Sequence, residues 1–342
     1  MTQLFTPTFT LTQLNKEITM QASYRFFTVF AAVLAATAMP ALAAEQSWPQ
    51  RPIRVIVPFT VGSSADIICR IVTDQLSPLL GQPVIVENRG GAGGTIGAGL
   101  AAKSDADGYT LLSTASALTV APASYPNLAY DTARDLSGVA IYGVVPNVVA
   151  ISPKKNIKTL KELIAAAKSR ELSFASAGVA SASHWAVERV LIAGGVRAVH
   201  IPFKGGPEAI LEVATARVDF LATGVSSAAP FIKEGRLIAL AVGSRKRSAA
   251  MPDVPTTLEA GLADADYTYW NGMLAPSKTP REIVDRLSRE VAKVLAMQST
   301  KERLTQIGVE PLAVTPAEFD TMIRKEIEMN IGIVKAANLK FD

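Results

Sequence analysis

The segment Val55-Ile56-Val57-Pro58-Phe59-Thr60-Val61-Gly62-Ser63-Ser64-Ala65-Asp66-Ile67-Ile68-Cys69-Arg70 decides how the rest of the chain is organised. An apolar run ends in Pro58-Phe59, crosses a short polar loop and enters a stretch where Ile67, Ile68, Ile71, Val72, Leu76, Leu79 and Leu80 recur at helical spacing. This pattern predicts strand, loop and helix. Ser63 is the expected N-cap, with Asp66 three residues on completing a capping box. The first-turn N–H groups of such a helix have no intrahelical partner and carry roughly +0.5 of a charge, so the mouth of the loop is a seat for an anion.

Upstream of this unit the chain reads as an export signal. From Met20 there follow Arg25, an apolar core from Phe26 to Ala36, and Ala41-Leu42-Ala43 as a small-residue cleavage site. The apolar core falls short of the roughly 20 residues needed to span a bilayer. Residues 1–43 are therefore expected to be an N-terminal extension and cleaved signal peptide, residues 1–19 arising from an upstream start codon. The mature protein is expected in the periplasm, beginning near Ala44.

Downstream, strand and helix signals alternate. Strands are expected at 83–87, 109–112, 144–151, 172–175, 198–203, 218–221, 237–242 and 267–275. Helices are expected at 96–103, 159–168, 184–192, 208–216, 228–234, 280–297, 300–307 and 316–335, with a less regular stretch from Ala123 to Gly138. The first three strands end in Gly/Ser/Thr loops that open helices, and in a parallel sheet such ends share the edge where ligands collect. The expected fold is α/β, a two-lobe (type II, Venus-flytrap) binding architecture. Each lobe is a mostly parallel sheet flanked by helices, and two crossing strands near Asn147 and Trp270 form the hinge. Residues 44–147 with 268–342 make lobe 1, and residues 148–267 make lobe 2.

The chemistry available is that of hydrogen bonding. The 342 residues carry a formal net charge of +4 and contain one cysteine, Cys69, and two histidines, His184 and His200. An intrachain disulfide is excluded, no cluster has metal-ligand spacing, and the diffuse basic excess lacks a nucleic-acid reading motif. Neither a metal, a cofactor nor nucleic acid is expected. The glycines from Gly90 to Gly99 fail as a dinucleotide fingerprint, because Ile96 stands where the third glycine belongs. A hydrolase built on Ser181 and His184 is a remote alternative, without a nucleophile elbow to support it. His184 is read as a first-turn helix residue and His200 as a core or lobe-surface residue. What remains is a set of hydroxyls at strand ends: Ser63, Ser64, Ser113, Thr114, Ser116, Ser176, Ser181, Ser183 and Thr223. Together with helix N-termini they describe a polar, uncharged cleft able to hold a carboxylate.

Several motifs carry a family resemblance across the whole mature chain. They are Trp48-Pro49-x-Arg51-Pro52-Ile53, Ile56-Val57-Pro58-Phe59 with Asp66 and Arg70, Gly81-Gln82-Pro83-Val84, and Glu87-Asn88-Arg89-x-Gly91-Ala92-Gly93-Gly94-Thr95-Ile96-Gly97-Ala98. Further on come Asp107-Gly108-Tyr109-Thr110-Leu111-Leu112, Phe203-Lys204-Gly205-Gly206 and Pro252-Asp253-Val254-Pro255-Thr256. The sequence resembles the extracytoplasmic solute receptors of tripartite tricarboxylate transporters, the Bug (Bordetella uptake gene) family. The resemblance implies a periplasmic, non-enzymatic, monomeric two-lobe protein. It would close on a small organic acid (a mono-, di- or tricarboxylate, aromatic ones included) and deliver it to the membrane permease subunits. A receptor feeding a sensor kinase is the alternative.

Carried over by position, the ligand contacts of the first lobe are Phe59, Thr60, Val61, Gly62, Ser63 and Ser64 with Asp66 supporting the loop, and Ser113, Thr114 and Ser116. Those of the second lobe are Ser176, Ala180, Ser181, His184, Lys204, Thr223 and Gly224. The sequence departs from the family pattern at Thr60-Val61-Gly62-Ser63, where Pro-Pro-Gly-Gly is usual, and at Ala180, where glycine is common. It also has Thr223-Gly224 in place of Asp-Asn. Loss of that carboxylate implies a preference away from amino acids and toward plain or aromatic carboxylates.

Overall fold

The computed structural model describes residues 48–336. The expected signal peptide, its cleavage site and the last six residues lie outside the described residues. Among the described residues no helix is long and apolar enough to cross a membrane.

The chain opens with β1 (Ile53–Val57), α1 (Ser64–Leu80), β2 (Val84–Asn88), α2 (Thr95–Ala102) and β3 (Thr110–Ala115). It continues through α3 (Ala117–Ser124) and the single turn α4 (Thr132–Asp135) into β4 (Leu136–Ile151). A second series follows: α5 (Leu160–Ser169), β5 (Ser173–Ser176), α6 (Ala182–Gly194), β6 (Val199–Pro202), α7 (Gly206–Ala214), β7 (Phe220–Gly224), α8 (Val225–Lys233) and β8 (Ile238–Val242). Then come β9 (Thr268–Pro276), α9 (Arg281–Ala296), α10 (Gln298–Gln306) and α11 (Pro316–Ala336).

Two sheets share one strand. β2, β1 and β3 are parallel neighbours, and β9 runs antiparallel between β3 and the first half of β4. From Asn147 onward β4 changes partners and pairs with β7 and β8 on its two sides, while β5 and β6 extend the second sheet in parallel from β7. β4 can serve both sheets because its 16 residues reach about 50 Å at roughly 3.3 Å per residue. The architecture is the α/β two-lobe one expected, with β4 and β9 as the crossing strands.

Each sheet is covered on both faces, and the period of two along β4 sorts its residues. Val149 and Ile151 pack with Phe174, Val187 and Phe220 on one side, and Ala150 packs with Ala175, Ile210 and Leu221 on the other. In the first sheet Ile56, Leu112 and Leu274 meet Phe319 and Ile323 of α11, which returns to this sheet from the C-terminal side. The Phe319 ring stands edge-on to Trp270 at 4.9 Å. Gly138 and Gly272 make room for it, since a Cβ at Gly138 would lie 2.6 Å from the ring.

Among the boundaries that differ from expectation, two are explained by sheet pairing. β4 begins at Leu136, inside the stretch read as irregular, because register shifts at Gly138/Ala140 and Ile141/Gly143 break the alternation that marks a strand. β3 continues through Ser113 and Thr114 to Ala115, paired with Met273, Gly272 and Asn271 of β9. Those two residues are therefore strand rather than loop.

Candidate functional site

The loop between β1 and α1 is built as a rigid donor cradle. Ser63 caps α1, its Oγ accepting the Asp66 N–H at 3.4 Å. The reciprocal half of the capping box reaches one residue further back: Asp66 Oδ2 accepts the Gly62 N–H at 2.9 Å. Asp66 Oδ1 accepts from Arg70 Nε at 3.0 Å and Asn88 Nδ2 at 2.9 Å, and the same Asn88 amide donates to the Phe59 carbonyl at 3.0 Å. Burial would push the Asp66 carboxyl up. Arg70, the Gly62 N–H and Asn88 outweigh it and hold the group below the usual carboxylate range. Asp66 thus stands behind the loop as a buried anion that pins it. Gly62 takes φ +80, a conformation glycine adopts freely.

On the facing side, Ser181 caps α6 by accepting the His184 N–H at 3.3 Å, and its Oγ meets Ser183 Oγ at 2.9 Å. Ser183 Oγ also accepts the Ala177 N–H at 2.8 Å. The His184 ring is committed elsewhere: Nδ1 accepts the Ala180 N–H at 3.0 Å and the ring stacks on His200 at 3.8 Å. That bond needs an unprotonated Nδ1. Ser181 therefore meets His184 through its main chain, which is not the arrangement of a nucleophile and its base. Ser176 Oγ lies 2.6 Å from His200 Nε2 and also bonds the Gly178 main chain. Burial, with His184 adding to it, pushes His200 down to about 3.

The two sides meet across a cavity of about 50 Å³. From the first lobe it is lined by Phe59, Ser63, Ser64, Ala65 and Ala115, and from the crossing strands by Asn147 and Tyr269. The second lobe supplies Ala177, Ser181, Ala182, Ser183, Gly206, Thr223, Gly224 and Ser227. None of these side chains carries a charge. The Tyr269 phenol stays neutral, pushed up to about 12 by burial against the opposing pull of Ser64. The N-terminal ends of α1, α6, α7 and α8, of 17, 13, 9 and 9 residues, all border the cavity. Each contributes a partial positive charge from unpaired N–H groups. Such an arrangement can hold a negatively charged group with main-chain and hydroxyl donors. A second cavity of about 310 Å³, between β4, α9 and α10, is lined mainly by apolar residues such as Ile141, Ala292 and Leu304, and neither strand-end loop reaches it.

The lobes also touch directly. Ser226 Oγ donates to Ser64 Oγ at 2.6 Å, Ser64 Oγ lies 3.0 Å from Ser227 Oγ, and Ser227 Oγ donates to the Gly62 carbonyl at 3.4 Å. Tyr125 Oη donates to the Val179 carbonyl at 3.0 Å. Elsewhere the seam holds close glycine contacts and an apolar patch in which Val120, Tyr125, Ile333 and Val334 pack with Val179, Ala180 and Trp185. A Cβ on Gly93 would stand 1.9 Å from the Val179 carbonyl oxygen, and one on Gly205 would stand 1.9 Å from Thr60 Oγ1.

Of the residues expected from sequence, the structure gathers Phe59, Ser63, Ser64, Ser181, Ser183, Thr223 and Gly224 around the cavity. Thr60, Gly62 and Asp66 form the seam and the support of the first loop, and Val61 points outward, 65% exposed. Ser113 and Thr114 are buried within β3, and Ser116 Oγ lies 3.2 Å from Tyr267 Oη. Ser176, Ala180 and His184 shape the second loop from behind. Lys204 is exposed, its N–H donating to Glu208, and borders an outer groove with Tyr125 and Val179. Tyr269, Ser227 and Asn147 were missed as lining residues. Only the third had a signal, its place at a crossing.

Comparison with known proteins agrees with this fold. The sequence profile of the Tripartite tricarboxylate transporter family receptor matches residues 68–339. A UPF0065 protein of Bordetella bronchiseptica is 38% identical over 315 residues, 91% of this chain and 93% of the relative. The periplasmic binding protein BugD superposes with a TM-score of 0.83 at 31% identity, over 86% of this chain and 99% of its own. The R. palustris protein Rpa4515 with adipate gives 0.82 at 29% identity over 86% and 99%. MatC from Rhodopseudomonas palustris with bound malate gives 0.80 at 30% identity over 84% and 100%. By its sequence, its two-lobe fold and its charge-free cleft of helix N-termini, the chain belongs to the Bug-type tripartite tricarboxylate transporter receptors, a family of periplasmic solute-binding proteins.

Proposed function

We propose that this protein is a non-enzymatic receptor that closes on a small organic carboxylate and presents it to the permease of a tripartite tricarboxylate transporter. The observation that carries the reading is the convergence of four helix N-termini on a cavity lined by hydroxyls and free of charged side chains. Such a cavity stabilises an anion and offers no base, nucleophile or metal ligand to transform it. Family membership supports the transport role, and the relatives' complexes with adipate and malate support the ligand class. In this reading lobe 1 comprises residues 44–147 and 268–342, and lobe 2 comprises residues 148–267. Ser63, Ser64, Ser181, Thr223 and Gly224 meet the ligand, and the signal at Met20–Ala43 brings the chain to the periplasm.

A thermal-shift panel of mono-, di- and tricarboxylates on the purified protein tests it. A ligand at 100 times its Kd stabilises by about 2.7 kcal/mol, which raises the melting temperature by about 4–5 °C in a protein of this size. If no carboxylate in the panel shifts the transition, the reading is wrong.

A further inference from the structure

The cavity between β4, α9 and α10 is separate from the interlobe cleft. Ala140, Ile141 and Tyr142 of β4 form one wall, and α9, α10 and residues 309–314 form the others. All of these belong to β4 before it changes sheets or to the C-terminal elements, so the walls do not depend on the two sides of the cleft meeting. The volume of about 310 Å³ stands at the lower end of the range for small-molecule sites, which are mostly apolar with a few polar groups. Ala140, Ala292, Ala296 and Ala313 keep the walls short, and the last three are exposed, so the cavity opens to solvent. Close-packed interiors leave few voids larger than a water molecule, and a recess of this size exceeds that irregularity.

Shape, size and charge each narrow the occupant. Ser288, Ala292, Leu295 and Ala296 follow one another along α9 as a stripe of about 12 Å at 1.5 Å per residue, which suits an elongated molecule. At about 30 Å³ for each non-hydrogen atom, the share a water takes in the liquid, the cavity holds about ten such atoms. Lys301 is exposed at the rim and makes no ion pair among the described residues. Its neighbour Glu302 accepts from Gln298 Nε2 at 2.8 Å, and no acidic side chain lines the cavity. An acid with a single charged end therefore matches the site, whereas a second carboxylate would be set against Ile141, Leu304 and Leu312 without a partner. We propose that this cavity is a second ligand site, for a free aliphatic monocarboxylate of about eight carbons. Its chain lies along the α9 stripe, and its carboxylate meets the Lys301 ammonium.

Calorimetric titration of the full chain with octanoate and with 1-octanol, in the wild type and two variants, decides this. Octanoate binds the wild type. Lys301→Glu weakens octanoate about threefold or more and changes octanol by less than twofold, because only the acid meets the charge at the rim. Ala292→Phe fills the stripe and abolishes octanoate binding, while the short carboxylates that stabilise the wild type still stabilise this variant. Absence of octanoate binding to the wild type overturns the assignment, as does undiminished binding to Ala292→Phe, which would place the acid elsewhere. An equal effect of Lys301→Glu on acid and alcohol also overturns it. If Ala292→Phe does not fold, the exposed Lys301→Glu change and its acid–alcohol contrast still decide. The receptor reading fails separately, on the short-carboxylate panel alone.

Discussion

Replacing Gly205 by alanine asks whether the cleft works by closing. Gly205 follows β6 of the second sheet, and Thr60 follows β1 of the first. A Cβ on Gly205 would fall 1.9 Å from Thr60 Oγ1 and 2.9 Å from Thr60 Cβ, where ordinary contact begins near 3.4 Å. Gly205 itself has φ −174, extended backbone that alanine adopts without strain, so the penalty is confined to the seam. Thr60 is β-branched and stiff at χ1, which leaves parting of the lobes by roughly 1.5 Å as the main escape. Overpacking of this kind costs about 1–3 kcal/mol. Because the cost falls only on the closed form, carboxylate binding weakens by about 5- to 150-fold. The ligand-free melting temperature stays within about 2 °C of wild type, since the open form avoids the clash. Titration calorimetry and thermal melts on the wild type, Gly205→Ala and Gly205→Ala/Thr60→Gly measure both effects, and the double variant regains most of the affinity. Binding within twofold of wild type for Gly205→Ala would refute the closing cleft. So would a large fall in ligand-free melting temperature, which would mean that the two sides act as one rigid body.

Three further perturbations probe the framework. Phe319→Ala empties a fully buried ring site between Gly138, Gly272 and Trp270 and is expected to cost about 3–5 kcal/mol in urea unfolding; a loss under about 1 kcal/mol would remove α11 from the first-lobe core. Asp66 is held below the usual carboxylate range when folded, so its stabilisation is full above the unfolded value of about 3.9 and fades as pH falls through the folded value. The stability gap between wild type and Asp66→Asn should then shrink from pH 6 toward pH 3, and a constant gap contradicts the assignment. His200 is pushed down to about 3, so between pH 6.5 and that value the unfolded chain holds a proton that the folded chain does not, and stability falls as pH drops across the window. His200→Phe keeps an aromatic ring beside Phe174 and His184 and should flatten this slope, which urea midpoints at several pH values will show.

Local chemistry made much of this architecture legible. The cap at Ser63 announces its helix because a hydroxyl three residues before a free N–H is a short-range geometry, whereas Ser181, expected within a loop, caps a helix that starts at Ala182, before the expected His184. The first half of β4 was hidden, since two bulges interrupt the alternation and Gly143, at φ +153, breaks the apolar run. The cleft was half legible for a related reason. Residues at strand ends border it by topology, and seven of those expected do so. Ser227 and Tyr269 enter it only because α8 and β9 are brought across from other parts of the chain. Ser113 and Thr114 look like loop residues because they are polar hydroxyls following an apolar run, yet they continue the strand by pairing with β9. His184 is a core residue for a reason no spacing reveals: its ring lies on His200, 16 positions away and on another element.

The seam of main chain against main chain bears on how much of the binding energy survives closure. Where interfaces are made of long side chains, each one frozen costs about 0.5–1.5 kcal/mol of rotamer freedom. Here Gly93 approaches the Val179 carbonyl, Gly178 approaches Gly93, and Gly90 approaches the Lys204 carbonyl. The serine bridges carry a single rotor each, and the bulky side chains of the seam gather in one apolar patch of Val120, Tyr125, Trp185, Ile333 and Val334. Closing the glycine contacts orders little that was not already ordered, so the rotamer cost of closure is confined to the serine bridges and the apolar patch around Trp185.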